Sequence, residues 1–185
     1  LQIGRGESIE DTARVLSRYV DAITIRCFAH ETLLTLAEHA TVPVVNALTA
    51  RSHPCQIMAD LQTMIERHGA LEDQVVTWIG DGNNVAASWI EAAARFGFQL
   101  RIACQEGYAP PAELLAWAHA EGADLVLYDS AKEAAVGSQT LVTDVWISMG
   151  DEEGTRREDF SAFQVNQALL DVAAGDAIVL HCLPA

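Results

Sequence analysis

Val75-Val76-Thr77-Trp78-Ile79-Gly80-Asp81-Gly82-Asn83-Asn84-Val85-Ala86-Ala87 holds the change of period on which the fold turns. β-Branched residues and a tryptophan run to Ile79 as a buried strand, a glycine-bearing turn follows, and a segment of helical period extends from about Asn84 to Phe96, closed by Gly97. A second strand at Gln99 to Ala103 completes a βαβ unit, since parallel strands need a crossover of this kind. Downstream the alternation continues with helix Pro111 to Glu121, strand Leu125 to Tyr128, a short helix near Ala131 to Val136 and strand Leu141 to Asp144. A helix near Val165 to Ala173 then leads to a last strand, Ala177 to Leu180. Between them Ser148 to Arg157 is charged, contains glycine and lacks an apolar period, so it reads as a loop of a length that often carries function. Upstream, Ser8 and Asp11 form a variant capping box before a helix to about Tyr19, followed by strand Ala22 to Arg26, helix Glu31 to Ala40 and strand Val44 to Asn46. Pro54 sits where a helix start tolerates proline, and Cys55 to His68, ended by Gly69, is a helix and the candidate domain connector. The predicted class is α/β with parallel sheets.

A chain of 185 residues, half of them hydrophobic, has room for one large domain or two small ones. Acidic residues outnumber basic ones 26 to 11, and the formal charge of -15 argues against nucleic acid and anionic membranes as partners. Cys27, Cys55, Cys104 and Cys182 lie far apart without a CxxC pair, which argues against a disulfide framework or a zinc ribbon and fits a reducing cytoplasm. No apolar run approaches the roughly 20 residues of a membrane span. Neither an internal repeat nor a low-complexity tract is present.

Open α/β sheets place ligands at the carboxyl ends of their strands, and here four strand ends carry polar groups. His181-Cys182-Leu183-Pro184 follows the last strand; Cys182 could be a nucleophile, a proton acceptor or a small buried hydrophobe. Arg26 ends the strand Ala22 to Ile25, where its guanidinium fork suits a phosphate, although a surface ion pair is the plainer alternative. Asp144 has the same placement, with a turn or N-cap aspartate as its alternative. Gly80-Asp81-Gly82-Asn83-Asn84-Val85 resembles the first two glycines of a dinucleotide fingerprint, but the third is missing and only Glu106 offers the acidic partner. A tight turn explains the glycines; the paired asparagines can cap the helix and bind a carboxylate or amine. His53-Pro54-Cys55-Gln56 puts an imidazole and an amide at a helix start, where developing negative charge is favoured. A metal reading that combines His53 and Cys55 with His181 and Cys182 lacks the usual ligand spacing, so no metal is expected.

Taken as a set, Gln2-Ile3-Gly4-Arg5-Gly6-Glu7-Ser8 with Asp11 to Leu16, His53-Pro54-Cys55-Gln56, Asp81-Gly82-Asn83-Asn84, Asp144-Val145-Trp146-Ile147-Ser148-Met149-Gly150 and His181-Cys182-Leu183-Pro184 resemble the ornithine carbamoyltransferase family along essentially the whole chain. The Asp-x-x-x-Ser-Met-Gly loop and the His-Cys-Leu-Pro turn separate that family from aspartate carbamoyltransferases. The resemblance implies two parallel-sheet α/β domains with the active site between them: residues 1–70, an incomplete carbamoyl-phosphate domain with the connector helix, and residues 71–185, the ornithine domain. It implies that Gln2, Arg26, His53, Pro54, Cys55, Gln56, Cys182 and Leu183 hold carbamoyl phosphate, and that Asn84, Asp144, Ser148 and Met149 hold L-ornithine. Arg26 would meet the charged oxygens and His53 the carbonyl oxygen, while Asp144 and Cys182 orient the side-chain amine and help accept its proton. The implied product is L-citrulline, in arginine metabolism, made without a cofactor by a cytoplasmic homotrimer or a multiple of trimers.

The family's Ser-Thr-Arg-Thr phosphate loop, expected before Gln2, is absent, as is the arginine expected after Ala185. The chain is therefore expected to be an internal fragment, inactive or nearly so by itself. Two rival functions stay open: a nucleotide-dependent dehydrogenase using Gly80 and Gly82, and a non-catalytic relative that binds an amino acid or depends on a partner.

Overall fold

The computed structural model describes residues 6–146 and 160–183, so Gln2, Ser148, Met149, Pro184 and the Ser148 to Arg157 loop lie outside the described residues. The fold is α/β and its strands pair in parallel, as the alternation of periods predicts. The chain divides into two compact units, Leu1–Gln56 and Ile57–Ala185.

The first unit contains α1 (Ile9–Leu16), β1 (Ile23–Arg26), α2 (His30–His39) and β2 (Val44–Leu48). β1 and β2 form a two-stranded sheet in register Ile23↔Val44 to Ile25↔Asn46, with an irregularity before Arg26↔Leu48. β1 alternates, burying Ile23 and Ile25 and exposing Thr24 and Arg26, because helices cover only one face of this pair. Those two isoleucines meet Ala13 of α1 and Leu33 and Leu36 of α2 in one small core. At the start of α1, Ser8 Oγ accepts from Asp11 N at 3.1 Å, the bond the capping pattern predicts.

The second unit takes in most of α3 (Pro54–His68), whose buried Ile57, Leu61 and Met64 join its core. It continues through β3 (Val75–Ile79), α4 (Asn84–Phe96), β4 (Gln99–Ala103), α5 (Ala112–Ala120), β5 (Leu125–Tyr128), α6 (Ala131–Ala135) and β6 (Thr140–Thr143). A 3-10 turn at Ser161–Phe163, the short α7 (Gln167–Leu170) and β7 (Ile178–His181) complete it. The sheet order is β5-β4-β3-β6-β7, all parallel, so the chain winds outward from β3 to one edge and returns to β6 on the other side. β3 is buried on both faces, which is why its sequence reads as a continuous apolar run. Val76 and Trp78 point to the layer built by α3, α4 and α5, while Ile79 points to the layer of α6, Phe160, Phe163 and Leu169. The polar member of the second face, Thr77, is satisfied by the Ala134 carbonyl at 3.0 Å and by Ser138 Oγ at 2.6 Å.

Several boundaries differ from the sequence reading for local reasons. α1 ends at Leu16, not near Tyr19, because Ser17 caps it and the chain then tightens into i→i+3 turns, Arg18 N to Val15 O and Tyr19 N to Leu16 O. The helix expected over Val165 to Ala173 shrinks to four residues, since Asn166 in an extended conformation caps it and the amides past Leu170 close turns instead. β2 runs on to Leu48, and β7 starts at Ile178 because Ala177 N is taken by the Ala174 carbonyl. Asp144 stands one residue past β6, free of the ladder, so its side chain is available for other work.

Candidate active site

β3 is flanked by β4 and β6, so the carboxyl ends of β3 and β6 border the point where the winding reverses, the usual ligand crevice of such sheets. The parallel register Val76↔Thr140, Thr77↔Leu141 and Trp78↔Val142 brings the turn after β3 beside the residue that follows β6. There Asn83 Nδ2 donates to Asp144 Oδ2 at 2.8 Å. The other carboxylate oxygen, Oδ1, accepts from the backbone N–H of Val145 at 2.7 Å and from the Cys182 thiol at 2.8 Å. β6 pairs with β7 through Thr143↔His181, which sets Cys182 at the level of Asp144. Three strand ends thus converge on one carboxylate whose two oxygens are both fixed.

Cys182 enters this arrangement as a thiol. Its pKa is pushed up to about 12, first by burial, then by the hydrogen bond and charge of Asp144, and then by the charge of Asp60. A thiol in that state donates a hydrogen bond and is neither a nucleophile nor a proton acceptor near neutral pH. The Asp144 carboxylate is the acceptor of the pair. His181 Nδ1 also contacts the backbone carbonyl of Cys182. Asp144, His181 and Cys182 offer ligand atoms within 4.8 Å of one another, and this is the one grouping among the described residues that could hold a metal ion.

Gly82, in the turn after β3, serves packing. Gly82 N donates to the Tyr108 carbonyl at 2.7 Å, and a Cβ on Gly82 would fall 2.4 Å from Pro110 N and 2.6 Å from Ala109 C and Tyr108 O. Only glycine lets the β3–α4 turn cross the β4–α5 segment there. The N–H groups of Val85 and Ala86, which a pyrophosphate would need, are already taken by Asn83 Oδ1 at 2.9 and 3.1 Å. Both facts turn against the dinucleotide reading. Asn84 occupies the first position of α4, half-buried, with its carbonyl accepting from Ser88 Oγ at 3.0 Å.

In the first unit, Arg26 is the last residue of β1 and is exposed at the carboxyl edge of the small sheet. His53 directly precedes α3, which begins at Pro54, and Gln56 follows within its first turn. The segment leading to them is braced locally: Thr49 Oγ1 accepts from the amides of Arg51 and Ser52, both at 3.3 Å, and lies 3.0 Å from His30 Nδ1. Asn46 Nδ2 donates to Ser52 Oγ at 2.9 Å, and the Cys55 thiol donates to the Asn46 carbonyl at 3.3 Å. Leu183 lies just past β7 and is exposed. The structure therefore gathers Asp144 and Cys182 in the second unit and places Arg26, His53, Pro54, Cys55 and Gln56 in the first. Asp60 was not among the sequence candidates, and Asn83 entered only as one of the paired asparagines able to cap the helix and to bind a carboxylate or amine. Asp60 had a usable signal, a carboxylate set among Ile57, Leu61 and Met64 on one helix face, where it is only 7 % exposed.

Two family models match this chain: the Asp/Orn binding domain of aspartate/ornithine carbamoyltransferase over residues 72–185, and the carbamoyl-P binding domain of the same family over residues 1–66. The chain belongs to the aspartate/ornithine carbamoyltransferase family. Within that family it is 53 % identical over 186 residues to the ornithine carbamoyltransferase of Rhodopseudomonas palustris, covering all of this chain and 60 % of the relative. It is 52 % identical over 186 residues to the anabolic ornithine carbamoyltransferase of Pseudomonas aeruginosa, with the same coverage, 100 % and 60 %. Among solved structures it is similar to the ornithine carbamoyltransferase from Pyrococcus furiosus, with a TM-score of 0.93, 44 % identity and coverage of 100 % of this chain and 61 % of that one. The anabolic enzyme from Campylobacter jejuni gives a TM-score of 0.93 at 38 % identity, covering 100 % and 63 %. This carbamoyltransferase-family chain thus spans about 60 % of the length of the curated relatives it matches.

Proposed function

We propose that the protein transfers the carbamoyl group of carbamoyl phosphate to the side-chain amine of L-ornithine, giving L-citrulline and phosphate in arginine metabolism. The observation that carries the reading is the carboxylate of Asp144, pinned on both oxygens by Asn83, Val145 and the protonated Cys182 thiol at the strand-order reversal. The named relatives, all ornithine carbamoyltransferases, support the choice of substrate. In this reading residues 1–70 form the carbamoyl-phosphate part, with α3 as connector, and residues 71–185 the ornithine part; family-model limits at 66 and 72 support that division.

The chemistry sets the demands. Ornithine arrives as an ammonium, which must lose one proton before its nitrogen can attack the carbamoyl carbon; a second proton leaves as the tetrahedral centre collapses and the C–O bond to phosphate breaks. Asp144 accepts at the amine, and Cys182 with the Leu183 carbonyl lines the reacting centre. Arg26 meets the phosphate oxygens, His53 meets the carbonyl oxygen where negative charge develops, and Pro54, Cys55, Gln56 and Gln2 complete that subsite. Asn84, Ser148 and Met149 hold the amino-acid end of ornithine. The bond changes need no redox cofactor and no metal, and most of the rate then comes from positioning and pre-oriented donors. In this reading the assembled protein is a homotrimer or a multiple of trimers in the cytoplasm with neither nucleic acid nor membrane as partner, in keeping with a formal charge of -15.

The decisive assay is citrulline formation by the protein at its full natural length, with ornithine, putrescine and aspartate compared as acceptors. Turnover with ornithine alone is expected, lost in Cys182→Ala while ornithine still binds; the 185 residues by themselves should turn over little or nothing. Absence of ornithine-dependent citrulline from the full-length protein would sink the reading.

A further inference from the structure

We propose that Asn83 is a positioning residue for the reaction: its amide couples the N-terminus of α4 to the Asp144 carboxylate and fixes the direction in which that carboxylate accepts. The inference rests on the carbamoyl-transfer reading above and extends it to a residue outside the substrate-contacting set. The two ends of one side chain do different work. Oδ1 accepts from Val85 N and Ala86 N, at 2.9 and 3.1 Å, capping the helix, and Nδ2 donates to Asp144 Oδ2 at 2.8 Å. Serine or threonine would cap equally well but has no second arm, and aspartate would cap while presenting a like charge to Asp144. A serine or threonine hydroxyl accepts and donates from a single oxygen; among the usual N-caps asparagine carries the acceptor and the donor on separate atoms, so one can cap the helix while the other reaches a carboxylate.

The surroundings leave the amide little freedom. The turn that carries it is wedged by Gly82 against the Tyr108 carbonyl and Pro110, and Trp78 Nε1 donates to the Asp81 carbonyl at 2.9 Å. α4 itself is anchored through Val85, Ala86, Trp89 and Ile90, all buried. A rigid helix end is thus transmitted through one amide to Asp144 Oδ2, while Val145 N and the Cys182 thiol hold Oδ1. With both oxygens engaged in this way the carboxylate is held against rotation about its terminal bond, the freedom that would otherwise disperse its lone pairs away from the amine.

Asn83→Ser and Asn83→Asp separate the two duties, since both keep a cap. In the protein at its full natural length, kcat/KM for ornithine should fall at least tenfold in Asn83→Ser and further in Asn83→Asp. KM for carbamoyl phosphate should stay within twofold, and the thermal midpoint should stay close to that of the unaltered protein. In an Asp144→Asn background, where the target of the amide is gone, Asn83→Ser should cost nothing further. Positioning is also readable without turnover: amide exchange of Val145 should accelerate in Asn83→Ser while Val85 and Ala86 stay protected. A folded Asn83→Ser variant with unchanged kcat/KM and unchanged Val145 exchange would overturn the proposal, as would full additivity with Asp144→Asn. If the unaltered protein makes no citrulline, the carbamoyl-transfer reading fails, and the Val145 exchange still decides whether Asn83 positions Asp144.

Discussion

The two sheets of this chain handle their carboxyl edges differently. In the five-stranded sheet β3 is buried on both faces, and polar groups from three strand ends meet across the sheet, Asn83 after β3 and Cys182 after β7 both bonding to Asp144 after β6. In the two-stranded sheet β1 is buried on one face, Arg26 projects exposed, and the neighbouring polar groups bond within residues 30–55: Thr49 to His30, Arg51 and Ser52, Asn46 to Ser52, and Cys55 to the Asn46 carbonyl. A wide, doubly covered sheet fixes functional groups against one another, because its strand ends cannot shift without disturbing the core; a two-stranded sheet fixes its loop locally and leaves its charged group free to meet a ligand. For the proposed reaction a pre-set carboxylate suits the amine and an exposed arginine suits the phosphate.

The largest effect that sharpens the contrast is on catalysis. Asp144→Asn keeps the shape but removes the acceptor, so kcat/KM for ornithine should fall by about 10³, roughly 4 kcal/mol at the transition state, with little change in the thermal midpoint. Steady-state kinetics checks it, and a loss below tenfold would remove Asp144 from the proton path. Core truncation comes next. Leu36→Ala and Ile90→Ala each empty a fully buried site and should cost about 3 kcal/mol. Amide exchange distinguishes them: Leu36→Ala should speed exchange in β1 and β2 and leave β3 and β4 protected, whereas Ile90→Ala should lower protection across the larger sheet. Equal loss of protection in both sheets after Leu36→Ala would break the comparison.

Gly82→Ala should destabilise by about 2 kcal/mol, because the new methyl meets backbone atoms at 2.4 to 2.6 Å that have nowhere to go. Urea unfolding reads the cost, and a neutral result would show that the β3–α4 turn can move. A smaller but diagnostic effect concerns Cys182. With its thiol held up to about 12, alkylation should keep accelerating as pH rises from 7 to 11 with no plateau at the usual thiol pKa, and it should speed up in Asp144→Asn. The sign for stability follows by linkage: the folded thiol keeps its proton where the unfolded one, near 9.0, has lost it, so this group's contribution is present below pH 9 and is lost as pH climbs toward 12. Mass spectrometry of the modified peptide against pH would expose a thiolate plateau near neutral pH if the assignment were wrong. Smallest of all, Arg95→Ala should cost at most about 1 kcal/mol in thermal unfolding, since its pair with Glu121 is largely solvent-exposed and its stacking on Trp117 sits at 5.4 Å.

The fold was largely legible because period is a local property. β3 to β5 and α4 have the bounds their patterns predict, since β-branched runs and helical stripes are written into the neighbouring residues. Errors cluster where competing hydrogen bonds decide: Ser17 stops α1, Asn166 shortens α7, and the Ser161–Phe163 turn carries no periodic signal at all. The site divides the same way. Asp144, Cys182, Arg26 and His53 were visible as polar residues at strand or helix ends, a pattern that needs no knowledge of neighbours. Asp60 was hidden on a helix face, and Asn83 was legible as an asparagine able to cap or to bind, but not as the partner of Asp144, because that pairing depends on the strand order.

By itself the sequence determined the α/β alternation, the positions of the reactive residues and, through its motifs, the family. Tertiary structure alone decided the strand order β5-β4-β3-β6-β7, and with it that Asn83, Asp144 and Cys182, far apart in the chain, share one carboxylate. It also decided that Cys182 is a protonated donor, because burial and neighbouring charge set a pKa, and both are properties of the packed neighbourhood and of no residue alone.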